Sequence, residues 1–126
     1  MGVHTVTFTI PYPKHKGFAK EYGLNAIYAG KHWTARQRDS KYWHSIVLAE
    51  LSRQQIPRKL FTRPVSITFL WDDRMDCSNH AYLGKMIEDA LKGYLIQDDS
   101  RRFVQEIHHQ FHTGKCIQVI VKEKNR

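Results

Sequence analysis

The stretch VSITFLWDDRMDCSNHAYLGKMIEDALKGYLIQDDS, residues 65–100, decides the fold. It begins with seven residues of little polar character, which predict a central β-strand over residues 65–71. A helical period follows, and Gly93 is a natural C-terminal stop for that helix. Because another strand is predicted at residues 103–111, the helix should carry the chain back across one sheet.

The predicted helix has an apolar side and a polar side at a step of about 100° per residue. On the apolar side lie Tyr82, Leu83, Met86, Ile87, Ala90 and Leu91. On the polar side lie Lys85, Glu88 and Lys92, with Asp89 at the boundary. This division predicts that the apolar side packs into the core and that Lys85 lies outside it.

Upstream of this unit, residues 3–10 alternate between apolar and polar side chains. One face holds Val6, Phe8 and Ile10. The alternation predicts a half-buried strand that ends at Pro11. Residues 11–33 are rich in Gly, Pro, Lys and Tyr and indicate a long loop, which in a compact domain is usually functional or mobile.

The remaining predicted elements are one helix, one turn and one strand. Thr34 opens the sequence TARQ, which fits a capping box, so a helix should begin there and end before Pro57. A turn at residues 112–114 and a last strand through residues 116–121 form a hairpin with the preceding strand. The expected order is β-α-β-α-β-β, in one small α+β domain over residues 1–126 with a mixed sheet packed by two helices.

Charge is unevenly distributed along the chain. The formal net charge is +8, but residues 72–99 hold seven of the twelve carboxylates and only three of the twenty Lys and Arg residues. That segment carries −4, and the rest of the chain carries +12. Aromatic residues lie among the cations, as in YPKHKGF and YAGKHWTARQR, a mixture that suits nucleic acid but also an ordinary basic surface.

The cysteine content and the distribution of apolar residues indicate the cellular compartment of the protein. There are two cysteines, and they form no Cys-x-x-Cys pair, which favours free thiols in a reducing compartment. No apolar run approaches the roughly 20 residues of a membrane helix, and the N-terminal residues lack the layout of a signal peptide. We therefore expect an intracellular, cytoplasmic protein with no membrane partner.

The acidic segment suggests a metal site. Asp76 follows one predicted strand, and Asp98 and Asp99 precede another, so these carboxylates can converge if the strands are neighbours. Two carboxylates about 4 Å apart repel by ~4 kcal/mol at an effective dielectric near 20, so a cation or a proton must compensate them. Mg²⁺ takes oxygen ligands and suits phosphodiester cleavage, and Lys85 could meet charge developing on the phosphate.

Each of these residues also has an ordinary structural interpretation. The Asp-Asp-Ser sequence at residues 98–100 could be a turn. Lys85 and Asp89 could form a surface i,i+4 ion pair of little energetic consequence. Ser78 or Asn79 could serve only to cap the helix. The functional interpretation depends on all of these residues occurring together.

Together they resemble a known family. The pattern Asp76-x-x-Asn79, then Lys-x-x-x-Asp-x-Leu-x-Gly from Lys85 to Gly93, then Asp98-Asp99, looks like the RusA-type Holliday-junction resolvases of phages and prophages. Upstream, LNAIYAGKHWTARQR is similar to the Leu-Asn-x-x-Tyr…His-Trp…Arg region of phage members. The expected element order is also compatible with that family.

The resemblance implies a homodimeric, Mg²⁺-dependent endonuclease that nicks four-way DNA junctions, with Mn²⁺ as a second possible metal. It places metal-binding aspartates at Asp76 and Asp99, with Asp98 as a further acidic position, and an essential lysine at Lys85. Asn79 and Asp89 match supporting positions. Where the family's usual motif has a second aspartate, this chain has Ser78, which we expect to cap the helix.

A basic surface should bind the DNA. The expected contacts are Lys14, Lys16, Lys31, His32, Trp33, Arg36, Arg38, Arg101 and Arg102. Two other classes stay open. One is a catalytically weak or inactive module that binds branched DNA, which the serine at position 78 favours. The other is a phage assembly or adaptor protein, which fits the size of the chain but not its segregated charge.

Overall fold

A computed structural model describes residues 4–14 and 16–124. In chain order the strands are β1 (Thr5–Ile10), β2 (Val65–Trp71), β3 (Val104–Phe111) and β4 (Ile117–Glu123). The helices are α1 (Phe18–Tyr22), α2 (Leu24–Tyr28), α3 (Trp33–Arg53) and α4 (Ala81–Leu91), and a short 3₁₀ turn, Cys77–His80, leads into α4. The small single-domain α+β fold with a mixed sheet is confirmed.

The sheet has four strands in the order β1-β4-β2-β3. β4 lies antiparallel to both β1 and β2, whereas β2 and β3 run parallel and are joined by α4. The prediction that the last two strands form a hairpin was wrong, because β2 lies between β3 and β4. The prediction that residues 65–71 form an inner strand is confirmed. The buried core faces of β2 and β4 are filled by Val65, Ile67, Phe69, Trp71, Ile117, Val119 and Val121.

The predicted half-buried strand is also confirmed, as edge strand β1. Phe8 and Ile10 are buried, and the intervening threonines point away from the core. The predicted first residue of this strand, Val3, lies outside the described residues. β3 forms the opposite edge of the sheet, and no strand in the described part of the chain pairs with its outer side.

The long loop predicted over residues 11–33 was wrong in part, because it contains α1 and α2. Gly17, at φ 87°, and Gly23 bracket α1. Burial of Tyr22 favours the helix, since its ring packs edge-on against Trp43 of α3 with the centroids 5.2 Å apart. Neither helix exceeds five residues, so each depends on tertiary packing more than on its own propensity.

The start of α3 differs slightly from the capping box that the sequence predicts. The N-cap is His32, whose Nδ1 accepts a hydrogen bond from the backbone N–H of Thr34 at 3.1 Å. The helix ends at Arg53, before Pro57 as predicted. The stop of α4 at Gly93 is confirmed, because this glycine follows the C-cap with φ 79°.

A buried ion pair fixes the start of α3 against α4. The ammonium of Lys31 contacts the carboxylate of Asp39 and donates a hydrogen bond to the carbonyl of Glu21 at 2.7 Å. Tyr82 of α4 donates to the same carboxylate at 2.6 Å. The side chains of Lys31 and Asp39 are only 14% and 7% exposed, so this contact belongs to the interior.

Candidate functional site

Asp76 precedes the 3₁₀ turn that leads into α4, whereas Asp99 contacts Lys85 near the middle of that helix. Because β2 and β3 are parallel, their C-terminal ends lie side by side. Asp76 follows the C-terminal end of β2 and therefore lies on that side of the sheet. Asp99 precedes β3 and lies at the other edge. The 3₁₀ turn and the first turn of α4 together place about 15 Å between Asp76 and the level of Lys85, which Asp99 contacts. The parallel pairing of β2 and β3 therefore argues against the predicted convergence of Asp76 with Asp98 or Asp99 within one chain.

What does converge is a cluster of charges around Lys85. Its ammonium donates a hydrogen bond to Asp89 at 2.8 Å and contacts Asp99. Glu88 lies 3.7 Å away, and Lys92 reaches both Asp89 and Asp99 at 3.2 Å. We call these five residues the lysine cluster. It unites the lysine and two of the aspartates of the family-like motif.

Electrostatics in the lysine cluster stabilise the charged forms of its best-paired members. Burial lowers the pKa of Lys85, but hydrogen bonds to Asp89 and Asp99 outweigh it and raise that pKa above its usual value. The hydrogen bond from Lys85 is the main cause that holds the pKa of Asp99 well below its usual range. Lys85 and Asp99 are thus an ammonium and a carboxylate at neutral pH.

Glu88 differs from the polar-side residue that the periodicity predicts. It is 7% exposed and lines a cavity of about 180 Å³ between α4 and β3, together with Gly84, Ile107 and His109. Within the described residues its carboxylate accepts no hydrogen bond and has only the ion pair with Lys85. Burial raises the pKa of Glu88, so this carboxylate costs the fold free energy when it is charged.

We expect Glu88→Gln to stabilise the protein by about 1 kcal/mol at pH 7, because it removes a poorly solvated charge. Since the folded-state pKa lies above the unfolded one, the wild type loses stability as pH rises between the two values. The variant should lack that decline. Urea unfolding across pH 4–8 tests this, with the more exposed Asp89→Asn as the control. The prediction would be contradicted if Glu88→Gln gained less stability over the wild type at pH 7 than at pH 4.

The Asp76 end of α4 is organised by a turn rather than by a helix cap. Asp76 is the N-cap of the 3₁₀ turn, through its backbone and not through its side chain. Its exposed carboxylate is free to face a ligand. Ser78 is exposed, and the N-cap of α4 is His80, so the prediction that Ser78 caps the helix was wrong. Asn79 does not cap it either.

Asn79 instead connects this turn to the helical hairpin of α1 and α2. Its Oδ1 accepts a hydrogen bond from the backbone N–H of Asn25 at 2.9 Å. The contact requires glycine at position 23, since a Cβ there would lie 2.5 Å from Nδ2 of Asn79. Asn79 therefore has a structural role that its place in the motif did not reveal.

A buried network beneath Asp76 was not predicted from the sequence. The carboxylate of Asp73 lies 2.8 Å from Nε2 of His80 and accepts hydrogen bonds from Tyr12 and from the backbone N–H of Met75. His80 is fully buried, and its Nδ1 lies 3.0 Å from the carbonyl of Cys77. Burial raises the pKa of Asp73, but these hydrogen bonds outweigh it and lower the pKa. The network fixes the turn that carries Asp76.

The predicted DNA contacts fall into two groups. All but one are exposed, namely Lys14, Lys16, His32, Trp33, Arg36, Arg38, Arg101 and Arg102. The exception is Lys31, whose ammonium is buried against Asp39 and lies about 5.5 Å from the centroids of the Tyr22 and Tyr82 rings. The ammonium of Lys31 is thus engaged within the fold, unlike the other predicted DNA contacts.

The exposed predicted contacts include two pairs of neighbouring residues. Arg101 and Arg102 follow Asp99 after one intervening residue, Ser100. Asp98 is exposed and, within the described residues, makes no contact with Lys85. Trp33 is 53% exposed at the start of α3, where its ring stacks on His32. Cations and aromatic surface are therefore available to a nucleic acid.

In the described ranges, no group of three His, Cys, Asp or Glu side chains is placed to hold a metal ion. The histidines of β3 have separate partners, since His108 pairs with Glu106 and His109 accepts from the indole of Trp71. The carboxylates of the lysine cluster are the oxygen ligands that Mg²⁺ prefers.

Comparisons with known proteins add no family assignment. No protein-family model matches the chain, and no curated protein matches it either. Among residues 4–14 and 16–124, no helix combines the length and the apolar character needed to cross a bilayer. The functional argument therefore depends on the motif and on the geometry.

Proposed function

We propose that this protein is a Mg²⁺-dependent endonuclease that binds four-way DNA junctions as a two-fold dimer and nicks them. One observation carries the proposal. Lys85 and Asp99, fourteen residues apart in the chain, are in direct contact, with Asp89 beside them. These are the lysine and two aspartates of the family-like motif, and they meet although Lys85 is in a helix and Asp99 is in a loop.

The residues suit hydrolysis of a phosphodiester. Asp99 and Asp76 would hold the cation, which supplies charge stabilisation and an activated water when it is bound. Mn²⁺ has the same ligand preferences and should substitute. The ammonium of Lys85 would stabilise charge that develops on the scissile phosphate. The exposed arginines after Asp99 would bind the adjacent DNA backbone.

A second copy of the chain would bring Asp76 close to Asp99. The outer edge of β3 carries unpaired backbone groups, and such an edge is a template for another strand. Ile107 and Phe111, on one face of β3, are 41% and 52% exposed. If two copies meet along β3 about a two-fold axis, the strands run antiparallel. The Asp76 end of one copy then lies beside the Asp99 end of the other.

This arrangement gives two equivalent sites, each with Asp76 from one copy and Asp99 and Lys85 from the other. Two sites related by a two-fold axis match a four-way junction, which has approximate two-fold symmetry. The basic surface outside the acidic segment would hold the arms, so binding should weaken steeply with salt. The dimer and the cleavage site are thus parts of the same proposal.

The second candidate is a module that binds branched DNA without cutting it. Ser78 favours it, because this exposed side chain beside Asp76 offers a neutral hydroxyl where the family-like motif has a carboxylate. The distinction is chemical and not architectural, since both candidates share the fold, the basic surface and the dimer.

One experiment separates the candidates. The protein is incubated with a labelled four-way junction or with linear duplex of the same sequence, in Mg²⁺, Mn²⁺ or EDTA. The nuclease proposal expects preferential binding of the junction and paired nicks that EDTA abolishes. Binding without nicks in either metal supports the inactive module. Equal affinity for junction and duplex would remove both junction-binding candidates.

Ser78→Asp tests the role of the missing carboxylate. Because the side chain is exposed, we expect no loss of stability beyond about 0.5 kcal/mol. The added carboxylate should lower the Mg²⁺ concentration needed for half-maximal cutting by several-fold. Ser78→Asn is the uncharged control and should not shift it. An unchanged metal requirement in Ser78→Asp would show that position 78 does not face the metal.

A further inference from the structure

A cavity beside the lysine cluster contains two polar side chains, Glu88 and His109, that the proposed function does not use. It measures about 180 Å³ and lies between α4 and β3, and it is lined by Phe69, Ala81, Gly84, Lys85, Glu88, Ile107 and His109. Pockets for drug-sized ligands measure roughly 300–1,000 Å³, so this cavity suits a smaller group, such as a single ring system. The polar side chains determine which group it can bind.

Glu88 provides the cavity with a hydrogen-bond acceptor that has no donor. It is 7% exposed, and no group in the described part of the chain donates a hydrogen bond to its carboxylate. The ammonium of Lys85 lies 3.7 Å away, which is beyond hydrogen-bonding distance. The buried charge costs the fold free energy, and a ligand that donates hydrogen bonds to both carboxylate oxygens would offset that cost.

His109 provides the cavity with a hydrogen-bond donor. Its Nδ1 accepts a hydrogen bond from the indole N–H of Trp71 at 3.1 Å, and burial lowers the pKa of His109, so the ring is neutral at pH 7 with its proton on Nε2. Nε2 has no hydrogen-bond partner among the described residues. The ring stacks on Phe69 with the centroids 5.3 Å apart, and it lies close to α4 because a Cβ at Gly84 would be 2.8 Å from its Cε1.

One donor and two acceptors in one cavity discriminate among the DNA bases. The pairing edge of guanine carries an acceptor, O6, and two donors, N1–H and N2–H₂, which are the complements of His109 Nε2–H and of the two carboxylate oxygens of Glu88. Adenine and cytosine each present a ring-nitrogen acceptor to the carboxylate, and thymine presents only one donor. A base reaches such a cavity by leaving the duplex, and the cost of doing so is least where pairing is already weakened, as at a branch point.

We propose that this cavity binds the pairing edge of a guanine turned out of the DNA, with Glu88 accepting hydrogen bonds from N1–H and N2–H₂ and His109 donating to O6. The inference rests on the proposed function, because it takes DNA as the ligand, and it adds a preference for guanine next to the branch point. Lys85 lines the same cavity, and its side chain is 53% exposed. The base would therefore be held beside the ammonium that is proposed to contact the scissile phosphate.

Titrations of the full-length, ¹⁵N-labelled protein with free deoxynucleoside monophosphates, followed by NMR, test the site directly. The nucleotides carry the same phosphate, so differences between them report the base. We expect dGMP to shift the amide signals of Gly84 and His109 and to bind about tenfold more tightly than dAMP, dCMP or TMP, the discrimination typical of a matched pair of hydrogen bonds. The nucleotide dIMP, which lacks the 2-amino group, should lose most of this advantage. Equal affinities, or shifts confined to residues outside the cavity, would overturn the inference.

Glu88→Gln separates binding of the base from folding of the protein. The variant is expected to be more stable than the wild type, so a loss of guanine preference would not come from unfolding. Glu106→Gln is the matched control, because it makes the same change on β3 outside the cavity and should keep the preference. An unchanged preference for dGMP in Glu88→Gln would overturn the inference.

The same nucleotides distinguish this inference from the function on which it rests. If dGMP binds selectively in the cavity but the protein binds junction and duplex equally, the base site stands and the proposed function fails. If the protein prefers and nicks junctions without selective binding of dGMP, only the base site is overturned. Selective binding of dGMP together with junction cutting supports both.

Discussion

Asp76→Asn and Asp99→Asn should each reduce the rate of junction cutting by about a thousandfold while leaving junction binding unchanged or tighter. Each substitution keeps the shape of the side chain and removes one metal-ligand charge. A catalytic cation contributes several kcal/mol of transition-state stabilisation, and ~4 kcal/mol corresponds to about three orders of magnitude in rate. Binding does not suffer, because a carboxylate repels the phosphate backbone.

Single-turnover nicking and equilibrium binding measure the two effects separately. Asp98→Asn is the matched control, since Asp98 is exposed beside Asp99 and outside the lysine cluster. We expect it to lose less than tenfold in rate. Normal cutting by Asp76→Asn or Asp99→Asn would show that the proposed site is misplaced. Equal losses of cutting and binding would make these residues part of the DNA-docking surface.

Lys31→Ala should destabilise the protein by about 3 kcal/mol, the second large effect expected. The substitution leaves the buried carboxylate of Asp39 without its cation, and an uncompensated buried charge is expensive. It also removes the cation beside the Tyr22 and Tyr82 rings. Asp39→Ala should cost a similar amount, because it strands the ammonium of Lys31 and the hydroxyl of Tyr82.

Urea unfolding at one fixed protein concentration measures this loss, since the stability of the proposed dimer would depend on concentration. Lys16→Ala is the control, an exposed lysine from the same basic segment, and should change stability by less than about 0.5 kcal/mol. If Lys31→Ala were as stable as Lys16→Ala and bound DNA more weakly, Lys31 would be a DNA contact and not a structural residue.

The spacing of apolar residues along the chain predicted two strands and one helix of the fold. Alternation identified β1, and an apolar run identified β2 as an inner strand. The helical period and Gly93 located α4 and its end. These features follow from the sequence because each depends on the spacing of a few neighbouring side chains.

Other features depend on contacts between distant residues. α1 exists because Tyr22 packs on Trp43, and neither residue signals the other in the sequence. Lys31 lies just before α3. Its burial depends on Asp39 of α3 and Tyr82 of α4. A basic, aromatic-rich segment suggests an exposed surface, and only the tertiary structure distinguishes its one internal lysine.

The separation of Asp76 from Asp99 was, by contrast, readable from the sequence. Strand, helix and strand in succession give parallel neighbours, so the residue after the first strand and the residue before the second lie at opposite edges. The contact of Lys85 with Asp99 was not readable, because it depends on how the loop after α4 turns back. The motif contains the residues that meet around Lys85, but it does not indicate their arrangement.

The central claim is that each cutting site is shared between two copies of the chain, and mixing two inactive variants tests it most directly. Asp76→Asn and Asp99→Asn are purified separately, mixed, allowed to exchange subunits and given a four-way junction in Mg²⁺. In a mixed dimer, the intact Asp99 of one copy meets the intact Asp76 of the other, so one of the two sites is restored. The account predicts that the mixture nicks a single strand of the junction while each variant alone does not. A mixture as inactive as its components, with subunit exchange verified by differently tagged copies, would contradict it.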